Sequence, residues 1–245
     1  MDDGTTTRIS ENHYHMTTTT AQAANVLSHL EYYLQIVWPE LNVNVVSTTE
    51  QWAGAAIAGP KSRDMLSKLY PDLDVSNDAL PFMGYKEAEF FGVPSRIFRI
   101  SFSGELAYEI NVKSDHGMFM WEKMMEVGKE FGNQPYGTEA LSTLRIEMGH
   151  VAGPELDGRT IPSDVSLNGL VSKKKDFIGK NSLGREAFNV ESRQKIVGLI
   201  PIDRKSSIPE GSHIVQDQNA KLPNPKLGHV SSSCWSVENL SLIHI

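Results

Sequence analysis

The sequence predicts an α+β fold that is followed by a short all-β region. Over about the first 190 residues, segments with apolar residues at helical spacing alternate with β-branched, strand-like segments. After Arg193 the apolar runs become short and are separated by Pro, Gly and Asn, a pattern typical of a small β-barrel or sandwich. We therefore predict one domain over residues 1–190, formed by a single body or by two interleaved subdomains, and a C-terminal β-barrel domain over residues 191–245.

The individual elements follow from local pattern. The first segments predict a β-hairpin, in which TTTRIS and HYHMTTT flank a turn at SEN. Apolar residues from Ala23 to Val37 recur at helical spacing and predict a helix that Pro39 ends. Gly149 suits the C-terminal end of a later helix. In chain order the remaining predictions are strands at NVNVVSTT and WAGAAIAG, a helix at KSRDMLSKLY, strands at SRIFRISFS and AYEINV, helices at HGMFMWEKMMEVGKEFG and GTEALSTLRIEMG, and strands at KIVGLIPI, SHIVQD, KLGHVSSSCW and LSLIHI.

Composition excludes several classes of function. The formal net charge of −7 argues against nucleic acid as a partner, because phosphate binding requires a basic surface. No apolar run is long enough to cross a bilayer, and the N-terminus lacks the pattern of a signal peptide. We therefore expect no membrane partner and a cytoplasmic location. The single cysteine, Cys234, rules out an intrachain disulfide and fits a reducing compartment.

Common catalytic and cofactor motifs are absent from the sequence. It has no dinucleotide-binding GxGxxG after a strand, no phosphate-binding GxxxxGK[ST], no HExxH and no GxSxG. His13 and His15 share one face of a predicted strand and could bind a metal, but a hairpin surface is the better interpretation, and we predict no metal site. Cys234 lies beside Trp235 in a predicted strand, which does not favour a nucleophile.

The stretch SFSGELAYEIN gathers acidic and aromatic residues around Gly104. It is either an ordinary hairpin or one wall of a pocket for a flat, nitrogen-rich ligand. A carboxylate at Glu109 can accept two adjacent N–H groups of such a ligand, and an aromatic face at Phe102 or Tyr108 can cover its ring. Because strand neighbours alternate, Tyr108 either covers the ring or packs in the core on the opposite face.

Several motifs in fixed order resemble the folate-dependent aminomethyltransferase family, which includes the T-protein of the glycine cleavage system. They are SGELAYEI, PYGTEALSTLRIEMGHVAGPELDG, KKKDFIGKNSL, RQKIVGLI and GHVSSSCWS. Within that family, MDDGTTTRISENHY, SFSGELAYEINV and SKKKDFIG are similar to the C-terminal part of the α subunits of heterotetrameric sarcosine oxidases. The resemblance implies the aminomethyltransferase folate-binding fold, with ferredoxin-like antiparallel sheets and helices. We expect the N-terminal part of that fold to be missing here and the C-terminal barrel to be truncated.

The resemblance also implies roles for individual residues. Asp3 matches the catalytic acid of the family, which orients the amine of tetrahydrofolate, and Asp2 is its neighbour. Glu109 and Phe102 match the pair that holds the pterin, although Phe102 lacks the hydroxyl of the family's tyrosine. Arg145 matches the arginine of the family's LRLE motif. We expect this arginine near the pocket or near the glutamyl tail of the folate.

The implied function is one-carbon transfer within a sarcosine oxidase α subunit. The methyl-derived unit of sarcosine is captured as 5,10-methylenetetrahydrofolate, with tetrahydrofolate as the cofactor and other subunits of a hetero-oligomeric oxidase as partners. Flavin and NAD are expected only on missing regions or on partner subunits, so this chain alone is not expected to oxidise sarcosine. The alternatives are a stand-alone aminomethyltransferase of glycine cleavage and a non-catalytic folate-binding module.

Overall fold

The computed structural model describes residue 2 and residues 4–245, and its contacts divide the chain into two compact units. Unit 1 comprises Met1–Ser101 and Glu105–Pro135, and unit 2 comprises Phe102–Gly104 and Tyr136–Ile245. Both units mix helices with antiparallel strand pairs, which confirms the α+β class. The predicted domain boundary near residue 190 stays a prediction.

Unit 1 is built around a four-stranded antiparallel sheet with strand order β3-β6-β5-β4. The elements of this unit are β1 (Thr6–Ser10), β2 (His13–Met16), α1 (Ala23–Tyr32), β3 (Trp52–Ala58), α2 (Ser62–Leu69), β4 (Tyr85–Phe90), β5 (Val93–Phe98), β6 (Ala107–Lys113) and α3 (Gly117–Gly128). The predicted hairpin at the N-terminus is confirmed, because β1 and β2 pair antiparallel.

One face of this sheet packs against α2 and α3. Strand residues alternate between the two faces of a sheet, and every second residue of β6 is fully buried on the helix side. The core contains Ile57, Met65, Leu66, Leu69, Tyr70, Val75, Leu80, Phe90, Ile97, Tyr108, Ile110, Val112, Met120 and Met124. The opposite face is therefore left for the intervening residues of the same strands.

The predicted strand at NVNVVSTT is wrong. Among the residues that the structure describes, 42–48 join no β-ladder, although Val43, Val45 and Val46 are the β-branched type that strands favour. Their side chains are exposed. A β-branched pattern gives a strand only where a neighbouring strand supplies backbone partners.

Unit 2 contains two helices and two separate strand pairs. They are α4 (Thr138–Glu147), α5 (Lys180–Leu183), β7 (His213–Val215) with β8 (Lys226–His229), and β9 (Ser233–Ser236) with β10 (Ser241–His244). Gly149 follows α4 with a positive φ of 69°, as its predicted position at the helix end requires. The strand predicted at KIVGLIPI is wrong, since Leu199 forms only an isolated bridge with His244. The C-terminal β-barrel stays a prediction.

Among the described residues, no helix combines the length and the apolar character that crossing a membrane demands.

Candidate functional site

The face of the unit 1 sheet that points away from α2 and α3 carries polar and aromatic side chains in rows. Directly paired residues of an antiparallel sheet share a face, so the register places Ala56, Glu109, Phe98 and Tyr85 side by side across the four strands. The next row is Gly54, Asn111, Arg96 and Glu87, and Trp52 and Lys113 follow. We call this surface the Glu109 face, defined by Trp52, Gly54, Ala56, Tyr85, Glu87, Arg96, Phe98, Glu109, Asn111 and Lys113.

Glu109 lies near the centre of this face on β6. Burial raises the pKa of its carboxyl group, because removing a charge from water disfavours the ionised form. In the part of the chain that the structure describes, its carboxylate makes no hydrogen bond and no ion pair. A half-buried carboxylate in this state can gain free energy by accepting hydrogen bonds from a ligand.

Small residues border Glu109 on the β3 side. Ala56 is its direct partner, and Gly54 lies one row further, opposite Asn111. A Cβ at position 54 would lie 3.0 Å from Asn111 Oδ1, so glycine there gives the Asn111 amide its room. Small side chains therefore border the Glu109 carboxylate and the Asn111 amide on the β3 side.

Phe98 borders Glu109 on the β5 side and is covered by two other rings. The His15 ring, from the hairpin, stacks on it at 5.8 Å with an interplanar angle of 26°, and the Tyr85 ring lies at 5.1 Å. Burial lowers the pKa of His15, and the charges of Arg96 and His13 lower it further. His15 is therefore held in its neutral form on this apolar support.

Arg96 lies flat on the Glu109 face in the next row. Its guanidinium sits 4.2 Å from the centroid of the Trp52 ring, a cation–π arrangement. Its Nε lies 3.5 Å from Glu87 Oε1, and its Nη1 lies 3.5 Å from His15 Nδ1. Glu87 also accepts a hydrogen bond from the Tyr85 hydroxyl. Sequence reasoning missed Arg96, Trp52 and Phe98 because only strand register brings them beside Glu109.

Tyr108 and the two N-terminal acids have different surroundings. Tyr108 is fully buried in the core on the helix side, so the structure does not bring its ring to the side of the sheet that carries Glu109. Within unit 1, the Asp2 carboxylate accepts a hydrogen bond of 2.6 Å from the Thr19 N–H. Asp3, the predicted catalytic acid, lies outside the described residues.

Phe102 belongs to unit 2 and is substantially exposed. Its ring contacts the His150 ring edge-on, with centroids 4.8 Å apart. The turn that carries it depends on Gly104, which has a φ of 82° and on which a Cβ would lie 1.9 Å from Met148 Cγ. Glycine is therefore the only residue that this turn accepts without rearrangement.

Arg145 is buried in unit 2 within a closed hydrogen-bond network. Its Nη1 donates to Glu155 Oε2 at 2.9 Å, and its Nη2 donates to Ser232 Oγ at 2.6 Å. Ser232 in turn donates to Glu155 Oε1 at 2.5 Å. Burial raises the pKa of Glu155, but the hydrogen bonds from Ser232 and the Ala152 N–H, together with the Arg145 charge, outweigh it and hold that pKa below its usual value. The predicted contact of Arg145 with a folate stays a prediction.

The described residues favour neither a metal site nor a reactive thiol. No group of three or more His, Cys, Asp or Glu side chains there is arranged to hold a metal ion. Burial raises the pKa of the Cys234 thiol, and its Sγ lies 3.8 Å from the Thr143 carbonyl oxygen. A thiol that is held protonated is a poor nucleophile.

Comparison with known proteins gives consistent matches. Residues 1–175 match the family model described as GCVT N-terminal domain. The chain is 46% identical over 238 residues to the sarcosine oxidase subunit alpha of Rhizobium meliloti (strain 1021), which covers 96% of this chain and 24% of that protein. It is 30% identical over 219 residues to the aminomethyltransferase of Chloroherpeton thalassium, which covers 89% of this chain and 58% of that protein. The chain thus spans about a quarter of the length of the sarcosine oxidase subunits that it matches.

Proposed function

Because this chain belongs to the GCVT aminomethyltransferase family, we propose that it binds tetrahydrofolate and takes part in one-carbon transfer as a region of a sarcosine oxidase α subunit. In this proposal, the methyl-derived unit of sarcosine is captured as 5,10-methylenetetrahydrofolate. Support comes from the sequence identity to proteins named sarcosine oxidase subunit alpha over nearly the whole of this chain. The structural observation that carries the proposal is that the Glu109 carboxylate is partly buried and has no partner among the described residues.

Glu109 fits the hydrogen-bonding edge of a pterin. A pterin presents a ring N–H and an amino group side by side, and one carboxylate can accept both. The Glu109 carboxylate is partly removed from water, is without a partner among the described residues, and has Ala56 and Gly54 as small neighbours. Binding donors there would replace lost hydration with charge-assisted hydrogen bonds.

The other predicted site residues take supporting roles in this proposal. Asp3 orients the folate amine and accepts its proton as the one-carbon unit adds. Asp2 supports this role by accepting a hydrogen bond from the Thr19 N–H. Phe102 offers an exposed ring face for stacking. Tyr108 acts by packing beneath the strand that carries Glu109. A contact between Arg145 and the folate tail also stays a proposal. The buried ion pair of Arg145 with Glu155 does not favour that contact.

The wider setting is also proposed. Flavin and NAD would be bound by other regions or by partner subunits of a hetero-oligomeric oxidase, and the cytoplasm is the expected location. We further propose that residues 191–245, which form the pairs β7–β8 and β9–β10, contribute to a small β-barrel.

Calorimetric titration with tetrahydrofolate under reducing, anaerobic conditions tests the proposal. We expect the parent chain to bind and Glu109→Ala to bind about ten- to a hundredfold more weakly, because hydrogen bonds to a charged group contribute roughly 1.5–3 kcal/mol. Glu122→Ala, on the exposed side of α3, removes the same charge elsewhere and should bind like the parent. A folded parent that does not bind, or a Glu109→Ala variant that binds equally well, would contradict the proposal.

A stand-alone aminomethyltransferase is a second candidate, since a protein of that name matches 89% of this chain at 30% identity. The two candidates differ in the donor of the one-carbon unit. Formation of methylenetetrahydrofolate from an aminomethylated lipoyl carrier protein would favour the second candidate. Formation only with formaldehyde, or within an assembled sarcosine oxidase, would favour the first.

A further inference from the structure

The Glu109 face carries positive charge at one end, and we propose that Arg96, assisted by Lys113, binds the carboxylate of a folate's glutamyl tail. This inference rests on the proposed function, because it takes Glu109 as the site of the pterin. It assigns the acidic end of the ligand to unit 1 rather than to Arg145.

The spacing along β6 matches a ligand with two unlike ends. Glu109, Asn111 and Lys113 project from the same face at successive rows. Four residues of an antiparallel strand span about 13 Å, so the Lys113 row lies roughly that far from the Glu109 row. In a folate the p-aminobenzoyl group separates the pteridine from the glutamate. With the pteridine at Glu109, we place the acid end toward Lys113 and the Arg96 guanidinium, because these are the cationic groups of the Glu109 face.

Arg96 is held in a form that suits a carboxylate. The cation–π contact at 4.2 Å holds the guanidinium over the Trp52 ring, and its planar fork of N–H donors matches the geometry of a carboxylate. Its Nε faces Glu87 and its Nη1 faces His15, and the Tyr85 hydroxyl also lies beside the guanidinium. Since the side chain is only 15% exposed, a bond formed there is screened less than one at an open surface.

Glu87 does not neutralise Arg96 fully. The pair is separated by 3.5 Å, and the Glu87 side chain is 58% exposed, a setting in which ion pairs contribute little. Glu87 also accepts a hydrogen bond from Tyr85. Arg145 is the opposite case, because both of its terminal nitrogens already donate to buried acceptors and its charge is matched by Glu155.

The test compares tetrahydrofolate with tetrahydropteroate, which lacks the glutamate, by anaerobic titration of the parent chain, Arg96→Met and Arg96→Lys. We expect the parent to bind tetrahydrofolate about tenfold more tightly than tetrahydropteroate, the effect of one charge-assisted contact. In Arg96→Met this preference should fall to about one, with the affinity for tetrahydropteroate unchanged. Arg96→Lys should keep part of the preference, because it retains the charge but not the planar fork.

Lys86→Met is the matched control. Lys86 lies on β4 but pairs with the buried Ile97, so it projects from the other side of the sheet, where its Nζ donates to the Asp74 carbonyl. Removing its charge should leave the preference intact. The inference would be overturned if a folded Arg96→Met variant lost affinity for both ligands equally, or if the parent bound both ligands equally. Neither result would contradict the pterin site at Glu109. A folded parent that binds neither ligand would overturn the proposed function itself.

Discussion

Two glutamates, one in each unit, are both removed from water, but the pKa values of their carboxyl groups shift in opposite directions. Burial raises the pKa of Glu109, and no partner among the described residues opposes that effect. Glu155 is also buried, but Ser232, the Ala152 N–H and Arg145 hold its pKa below the usual value. Burial alone therefore does not identify a functional acid in this protein. The satisfied carboxylate stabilises its unit, whereas the unsatisfied one is available to a ligand.

The difference has a physical origin in the neighbouring elements. Glu155 ends a short 3-10 turn, Gly153–Glu155, in which its carboxylate accepts the Ala152 N–H, and the segment before β9 brings Ser232 to it. Glu109 instead lies on a central strand whose direct partners on that face are Ala56 and Phe98, neither of which has a side-chain donor. The same residue type is thus structural in one place and a candidate for binding in the other.

Glu155→Ala tests whether the Glu155 carboxylate is structural. Removing one partner of a buried ion pair leaves the Arg145 charge uncompensated, so we expect a loss of about 3–5 kcal/mol in the free energy of unfolding. Urea unfolding followed by circular dichroism measures it. The double variant Arg145→Met with Glu155→Met should lose less than Glu155→Ala alone, since no charge is then left buried. A loss below about 1 kcal/mol for Glu155→Ala would show that the network is not structural.

Ser232→Ala tests the same network through its uncharged member. It removes an acceptor from Arg145 and a donor from Glu155, so we expect a loss of about 1–3 kcal/mol. Ser192→Ala, at an exposed position, is the matched control and should change stability little. If Ser232→Ala and Glu155→Ala act through one network, the loss in their double variant should be smaller than the sum. Additive losses would mean that the two residues stabilise unit 2 independently.

Sequence reasoning reached one of these glutamates and missed the other. Glu109 could be predicted because its strand, its turn and the family resemblance agree over a short stretch, and the family assignment is confirmed. Glu155 could not, because it depends on Ser232, which is 77 residues away along the chain. Arg96 was missed for a related reason. Its environment comes from Trp52 and Glu87, which local pattern cannot place on neighbouring strands.

Two other predictions show the limits of local pattern. Local pattern leaves two positions open for Tyr108, over a ligand ring or in the core, and the structure places it in the core, on the face of β6 opposite to Glu109. The segment NVNVVSTT has the composition of a strand, yet strand formation depends on a partner that composition cannot supply. The role of Asp3 stays a prediction.

Glu109 should also affect the stability of the ligand-free chain. The pKa of Glu109 is raised in the folded state, so folding favours its protonated form, and that contribution is present at low pH and is lost as pH rises through the folded pKa. Above that folded pKa, the ionised carboxylate destabilises the fold. Glu109→Gln should raise the melting temperature by a few degrees at pH 7 to 8, and the gain should shrink as pH falls toward the unfolded value of about 4.3.

Glu155→Gln is the matched variant for that measurement, and its sign should be opposite. The pKa of Glu155 is lowered in the folded state, so its ionised form stabilises the protein above the unfolded pKa, and that contribution is lost as pH falls through the folded pKa. Differential scanning fluorimetry of both variants from pH 8 to pH 5 should give melting-temperature differences of opposite sign at pH 8. A decrease in melting temperature for Glu109→Gln at pH 8 would mean that the Glu109 carboxylate has a stabilising partner in the folded chain, and the basis for treating it as free to bind a ligand would be lost.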